Sequence, residues 1–226
     1  MGVITLLEVQ KRNKERVNVY LDNAYAFSVT LVDAARLKKG QTLTPADVAA
    51  LKTEDELTRA VERAARFLSH RPRSIAEVRR NLAEKSVDES VISAAIERLE
   101  TMGYLDDVAF ARFWVQNRVM FKPLGTRALR YELRQKGVSD PIIAQVLDEV
   151  DAAENAYRAA LKQASRLRVQ DRTEFRAKMS SFLQRRGFDY ATISDVIERL
   201  LDSEIGERLN AVDADEVDAG FEEGEA

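Results

Sequence analysis

The stretch GTRALRYELRQKGVSDPIIAQVLDEV (Gly125–Val150) recurs in two other places along the chain. An earlier copy reads SIAEVRRNLAEKSVDESVISAAIERL (Ser74–Leu99), and a later copy reads AKMSSFLQRRGFDYATISDVIERL (Ala177–Leu200). The copies are offset by 51 and then by 50 residues. A period in this range predicts an array of repeated helical units, in which each unit packs on the next.

The copies share their apolar positions and one turn. Gly137 and Gly187 come where a helix must end in left-handed backbone, and Ser86 takes this place in the first copy. Each copy therefore predicts two helices joined by a tight turn. The other matched positions are Leu82, Leu133 and Leu183, then Val87, Val138 and Phe188, then Ile92, Ile143 and Ile193, and then Ile96, Leu147 and Ile197.

A further helix is predicted before each copy, at about residues 54–70, 107–120 and 152–167. The residues before position 54 have a different pattern. Period-two alternation predicts strands at about 3–11, 16–22 and 25–29, followed by a short helix that ends at Gly40. Thr44-Pro45 then starts another helix, which we expect to end near residue 55.

The predicted fold is therefore mainly α-helical. It consists of three tandem three-helix repeats, about nine helices in all, preceded by a small unit with a β-meander and short helices. An acidic C-terminal tail, low in apolar residues, is predicted to be disordered. The predicted divisions are 1–53 for the head, 54–104, 105–150 and 151–203 for the repeats, and 204–226 for the tail.

Composition excludes several classes of function. The chain has no cysteine, which rules out disulfides and thiolate chemistry and fits a reducing cytoplasm. No apolar run approaches the roughly 20 residues of a membrane span, so no membrane association is expected. The net charge of −3 hides an asymmetry, since residues 202–226 carry ten acidic residues and one arginine, leaving +6 on the rest. A basic body favours a nucleic-acid or nucleoprotein partner.

No catalytic set is predicted. The single histidine, His70, lies at a predicted helix end, and Asp106-Asp107 stands where an N-cap is needed. We find no ligand cluster for a metal and no glycine-rich phosphate loop, so neither a metal nor another cofactor is expected.

A basic helix face is the strongest candidate for function. Arg127, Arg130 and Arg134 fall within about 60° of one another on a helix, with Leu129 and Leu133 largely opposite. Such a face binds phosphates or an acidic protein, or is simply solvated. Tyr104, Phe113, Trp114 and Tyr131 are candidates for base stacking, although Phe113 and Trp114 lie on an apolar stripe that indicates core. The other candidate contact residues are Arg71, Arg73, Arg79, Arg80, Arg118, Lys122 and Lys136.

Two signatures resemble the RecX family of regulators of the RecA recombinase. The run GYLDDVAFARFWVQNR (Gly103–Arg118), followed by KPLGTRALRYELRQKGVS (Lys122–Ser139), is similar to the second repeat of that family. The first repeat also fits, from Leu68 through Arg71, Ser74 and Glu77 to Lys85, although Ser86 replaces the glycine that the family places there. The head resembles the N-terminal extension of longer RecX proteins, through Ile4-Thr5-Leu6 and Tyr25-Ala26-Phe27-Ser28-Val29.

The resemblance implies a non-enzymatic regulator of recombination and DNA repair. We expect it to act in the cytoplasm and to be a monomer. The implied partners are the RecA filament and DNA, single-stranded and also double-stranded. The implied effect is inhibition of RecA ATP hydrolysis, strand exchange and coprotease activity. Two alternatives stay open, a general DNA-binding helical repeat protein and a protein-interaction scaffold unrelated to RecA.

Overall fold

The computed structural model describes residues 1–167 and 171–203. The predicted acidic tail, 204–226, lies outside the described residues. Two compact units are present, one formed by Met1–Asp106 and one by the described residues from Asp107 onward. The strands are β1 (Gly2–Val9), β2 (Arg16–Leu21), β3 (Ala24–Thr30) and β4 (Thr42–Leu43). The helices are α1 (Leu31–Ala34), α2 (Pro45–Leu68), α3 (Ile75–Ala83), α4 (Glu89–Thr101), α5 (Asp107–Phe121), α6 (Thr126–Gln135), α7 (Asp140–Asp148), α8 (Ala152–Ala164), α9 (Arg172–Arg185) and α10 (Tyr190–Leu201).

The head is an antiparallel sheet in the order β3-β2-β1-β4. The predicted meander is confirmed as β1 to β3, and the turn between β2 and β3 uses Asp22 and Asn23 at positive φ, which these residues tolerate. The two-residue strand β4 was not predicted. It pairs with the start of β1, where Gly2 lies opposite Leu43. Ile4, Val19 and Val29 form the fully buried centre of the head.

Helix α2 corrects one prediction. The sequence predicts one helix from Pro45 to about residue 55 and a second from about residue 54, but the structure has one helix of 24 residues. Its first part packs Val48 and Leu51 on the head, and its later part packs Ala60 and Ala64 against α3 and α4. The change of buried face along a continuous helix produces the apparent boundary, since no glycine or proline interrupts it. Helix α2 therefore belongs to both the head and the first repeat.

Each repeat is a three-helix unit with its own core, as predicted. The three units are α2 to α4, α5 to α7, and α8 to α10. The matched leucines Leu82, Leu133 and Leu183 are completely buried, and so is the matched isoleucine Ile143. The identical burial of matched positions shows that the sequence period corresponds to a repeated three-dimensional unit.

The turn between the last two helices of each unit is left-handed in all three copies. Gly137 and Gly187 have φ values of 78° and 82°, and Ser86 has a φ of 57°. In the turn of the first copy, the amide of Val87 donates to the carbonyl of Leu82. Serine carries a Cβ into a conformation that disfavours it, so the first turn is the strained member of the set.

We expect Ser86→Gly to raise the free energy of unfolding by about 0.5–1 kcal/mol. The change removes the cost of holding a residue with a Cβ in left-handed backbone, about 1–2 kcal/mol. Part of this gain is offset, because glycine makes the unfolded chain more flexible and so favours unfolding by roughly 0.5–1 kcal/mol. Urea unfolding followed by circular dichroism measures the difference. The reciprocal change Gly137→Ser, in the same turn of the second copy, should lower stability, and a stabilising effect there would contradict the explanation.

Candidate interface on helix α6

Helix α6 is held by the second repeat core on one side and by the third repeat at its N-terminus. Leu129 and Leu133 are completely buried among α5 and α7 residues. Gly125, the N-cap of α6, donates its amide to the carbonyl of Arg186 at 2.9 Å, and the amide of Arg127 donates to the carbonyl of Gly187 at 3.3 Å. Backbone carbonyls of the turn after α9 thus accept hydrogen bonds from amides at the start of α6, in place of a capping side chain.

The contact between these two backbones requires glycine. A Cβ on Gly125 would lie 2.2 Å from the carbonyl oxygen of Gly187, and a Cβ on Gly187 would lie 2.6 Å from the amide nitrogen of Ala128. The Arg186 guanidinium strengthens the contact by donating to the carbonyl of Pro123 at 3.0 Å, and its burial lowers its pKa. The two repeats are therefore joined by direct backbone contact beside the arginine face of α6.

The structure brings the three predicted arginines of α6 together. Arg127, Arg130 and Arg134 are exposed and line one open depression of about 640 Å³. Tyr131, 66% exposed, lies among them, and Gln184 and Gly187 of the third repeat complete the wall. We call this set the α6 surface. The part played by Gln184 and Gly187 was not predicted, because the sequence does not indicate which repeat faces which.

Among the described residues, Arg134 is the only one of the three arginines that forms an ion pair within 4 Å. Its Nε lies 2.7 Å from Oδ1 of Asp140, and both side chains are more than half exposed. The hydrogen bond raises the pKa of Arg134 and lowers the pKa of Asp140, which the positive charge of Arg130 lowers further. Exposed pairs of this kind contribute between about 0 and 1 kcal/mol, so an anionic partner can displace Asp140 at small cost.

Arg118 and Lys136 do not join the α6 surface. Both cover the ring of Trp114, with the Arg118 guanidinium 4.3 Å and the Lys136 ammonium 4.7 Å from the ring centroid. Glu132 binds this cluster together, since its carboxylate accepts from Trp114 Nε1 at 2.8 Å and from Arg118 Nε at 2.7 Å. The ring of Trp114 is therefore covered by contacts within the protein. Phe113 was expected in the core, but it is 40% exposed. Lys122 is exposed just after α5.

The four candidates in the first repeat are spread over different contacts. Arg71 pairs with Glu77, which also closes the capping box of Ser74 at the start of α3. Arg79 pairs with Glu89. Arg73 lies over the ring of Phe67 at 4.0 Å, its Nε is buried without a hydrogen-bond partner among the described residues, and its burial lowers its pKa. Arg80 is exposed.

Neither a metal site nor a membrane span is found among the described residues. They contain no group of three or more histidine, cysteine, aspartate or glutamate residues that could hold a metal ion. In the same part of the chain, no helix is both long and apolar enough to cross a bilayer.

Comparison with known proteins accounts for most of the chain. Four family models match in succession: the regulatory protein RecX N-terminal domain at residues 2–44, and the first, second and third three-helix domains of RecX at residues 60–99, 106–147 and 149–197. These matches correspond to the head and to the three repeats seen in the structure.

Individual relatives and solved structures agree. The regulatory protein RecX of Listeria innocua serovar 6a is 34% identical over 93% of this chain and 75% of its own length. The RecX protein of Bacillus subtilis is 34% identical over 88% of this chain and 78% of its own length. A crystal structure of regulatory protein RecX has a TM-score of 0.73 at 29% identity, covering 88% of this chain and all of that one, and RecX from Lactobacillus salivarius has a TM-score of 0.60 at 25% identity, covering 65% and 97%. The chain belongs to the RecX family of regulatory proteins.

Proposed function

We propose that this protein binds the RecA filament on single-stranded DNA and restrains it, through contacts made by the α6 surface. It acts by binding rather than by catalysis, as a cytoplasmic monomer. Restraint covers ATP hydrolysis, strand exchange and the coprotease activity of RecA. The observation that carries the proposal is the convergence of Arg127, Arg130 and Arg134 around the exposed ring of Tyr131, in a chain of the RecX family.

The α6 surface suits a nucleoprotein partner for physical reasons. Arginine forms paired hydrogen bonds to phosphate and carboxylate groups, so one row of guanidinium groups can grip DNA backbone or acidic protein. The rigid backbone contact between Gly125 and Gly187 fixes where α6 presents this row. A surface fixed before binding loses less conformational entropy when the partner arrives.

Replacing Arg127, Arg130 and Arg134 together with alanine should abolish restraint of RecA while leaving the fold intact. Exposed substitutions of this kind usually change stability by less than about 0.5 kcal/mol each. The measurement is RecA ATP hydrolysis on single-stranded DNA, with the wild-type protein or the variant titrated at substoichiometric amounts. A matched control removes three exposed cations of the third repeat, Lys162, Arg166 and Arg185, and should restrain RecA as the wild type does.

Two results would contradict the proposal. One is a triple variant that restrains RecA at wild-type concentrations, which would remove the α6 surface from the mechanism. The other is a wild-type protein without effect until it is abundant enough to coat all the DNA. That result would favour a general DNA-binding protein that merely competes with RecA, and its duplex binding should then fall steeply with salt.

A further inference from the structure

A second basic depression lies within residues 1–106, between the sheet of the head and helix α2. We call it the head cleft; it is open and encloses about 650 Å³. We propose that the head cleft binds a single strand of nucleic acid, with phosphates held by arginines of α2 and a base stacked on Tyr25. The head cleft shares no residue with the α6 surface and gives the head a binding role of its own.

The arginines of the head cleft form a row on α2. Arg59, Arg63 and Arg66 follow one another at spacings of four and three residues, which places them on one face over about 10 Å of helix. Lys52, two turns earlier, lies on the same face and also lines the cleft. No ion pair within 4 Å joins any of these four side chains to another described residue. Their charges are therefore available to an anion.

Carboxylates in the cleft reduce this charge without cancelling it. Arg16 and Asp55 also line the cleft, but they neutralise one another in an ion pair of 2.8 Å. Glu56 and Glu62 are the other acidic lining residues. Three arginines and one lysine against these two glutamates leave a net charge of +2. A positive groove of this kind attracts a phosphodiester backbone and makes the affinity depend on salt.

The opposite wall offers a stacking platform. The ring of Tyr25 is 59% exposed and is held edge-on against Tyr20, with centroids 5.9 Å apart. The hydroxyl of Tyr25 lies 3.0 Å from Oγ of Ser28. The hydroxyl of Ser28 in turn donates to Oδ1 of Asn18 at 2.9 Å. The ring is thus fixed by its edge and its hydroxyl, and it remains accessible to solvent. A fixed, exposed aromatic ring beside a basic groove is the arrangement that proteins use to bind unpaired bases.

The two walls together favour a nucleic-acid strand over an acidic peptide. A nucleotide carries a charged phosphate and a flat neutral base, which match the arginine row and the tyrosine respectively. An acidic peptide would interact with the arginines alone and would be repelled by Glu56 and Glu62. It would have no planar base to stack on Tyr25. Stacking also requires an unpaired base, because the bases of a duplex are already stacked on their neighbours.

The charge contribution is tested by the salt dependence of binding to a fluorescent single-stranded oligonucleotide, measured by anisotropy. All proteins are full-length and carry the α6 triple alanine substitution, so that the α6 surface does not dominate. Arg59→Ala with Arg66→Ala should weaken binding and lower the slope of log affinity against log salt by about 1.4, since each single-strand phosphate contact contributes about 0.7. The matched control is Arg36→Ala with Lys39→Ala, two exposed cations of the head outside the cleft. An equal slope change in both variants would overturn the proposal.

The stacking contribution is tested separately with Tyr25. Tyr25→Phe keeps the ring and should bind within about twofold of its parent, whereas Tyr25→Ala should bind roughly 5- to 150-fold more weakly. Photo-crosslinking of a 4-thiothymidine oligonucleotide, mapped by mass spectrometry, should place crosslinks at or beside Tyr25. Crosslinks confined to other peptides would refute the site, and so would a polyglutamate peptide that displaces the oligonucleotide as well as unlabelled single-stranded DNA does. None of these measurements involves RecA, so they are independent of the function proposed for the α6 surface.

Discussion

Asp55→Ala should lower the free energy of unfolding of the unit formed by residues 1–106 by about 3–5 kcal/mol, the usual cost of removing one partner of a buried ion pair. Asp55 is 6% exposed in the middle of α2, and its Oδ2 accepts from Arg16 Nη2 at 2.8 Å. This hydrogen bond raises the pKa of Arg16. Without Asp55, the guanidinium of Arg16, whose side chain is 17% exposed, loses the carboxylate that pairs with it.

The position of the pair explains why the effect is large. Arg16 begins β2, and its Nη2 also donates to the carbonyl of Ser28 in β3 at 3.3 Å, so the pair ties α2 to two strands of the sheet. Oδ1 of Asp55 is buried without a hydrogen-bond partner among the described residues, which adds desolvation that the pair must offset. Removing one partner of the pair should therefore destabilise the protein more than replacing both partners with apolar side chains.

The double variant Arg16→Met with Asp55→Leu provides the matched control. Apolar side chains of similar size often replace a buried pair without loss, so the double variant should recover most of the stability that Asp55→Ala removes. Hydrogen exchange of the β2 and β3 amides measures the effect within this unit alone. Exchange in the Asp55→Ala variant that matches the wild type would show that water already solvates the pair.

The repeated unit was predictable because its determinants are local. Leu82, Leu133 and Leu183 are fixed by helical periodicity, and a residue in left-handed backbone must follow each of them at the same distance. Ser74 and Glu77 form a capping box at the start of α3, and such a box depends only on residues three positions apart. Features that depend on residues within one or two helical turns of each other can therefore be predicted from the sequence alone.

The features that were not predicted depend on contacts distant in sequence. The division of α2 at residue 54 was wrong because the helix changes partners, from the sheet to α3 and α4, without a local stop signal. Arg118 pairs with Glu132, 14 residues away, and lies over the ring of Trp114, so this candidate contact residue is not part of the α6 surface. Arg59, Arg63 and Arg66 span seven residues on one helix face, as the three arginines of α6 do, but only the position of the sheet makes them one wall of a cleft.

Leu133→Ala should destabilise the second repeat by roughly 2–5 kcal/mol, because it removes a completely buried side chain and leaves a cavity. Leu133 packs in the core formed by α5, α6 and α7, and its carbonyl accepts from the amide of Val138 at 3.1 Å in the turn after α6. The cavity therefore lies directly beneath the helix that presents Arg127, Arg130 and Arg134. Urea unfolding measures the loss, and Leu161→Ala, at a leucine of α8 that is 46% exposed, is the matched control with an expected change within about 0.5 kcal/mol.

The same variant separates two ways of losing function. Leu133→Ala keeps every arginine of the α6 surface but loosens their support, so its restraint of RecA should fall in proportion to the unfolded fraction and return at lower temperature. The triple arginine variant keeps the support and loses the charges, so cooling should not restore it. A Leu133→Ala protein with an unchanged unfolding midpoint would contradict the core position of this leucine. A folded Leu133→Ala protein that fails to restrain RecA at low temperature would instead mean that small displacements of α6 are enough to abolish binding.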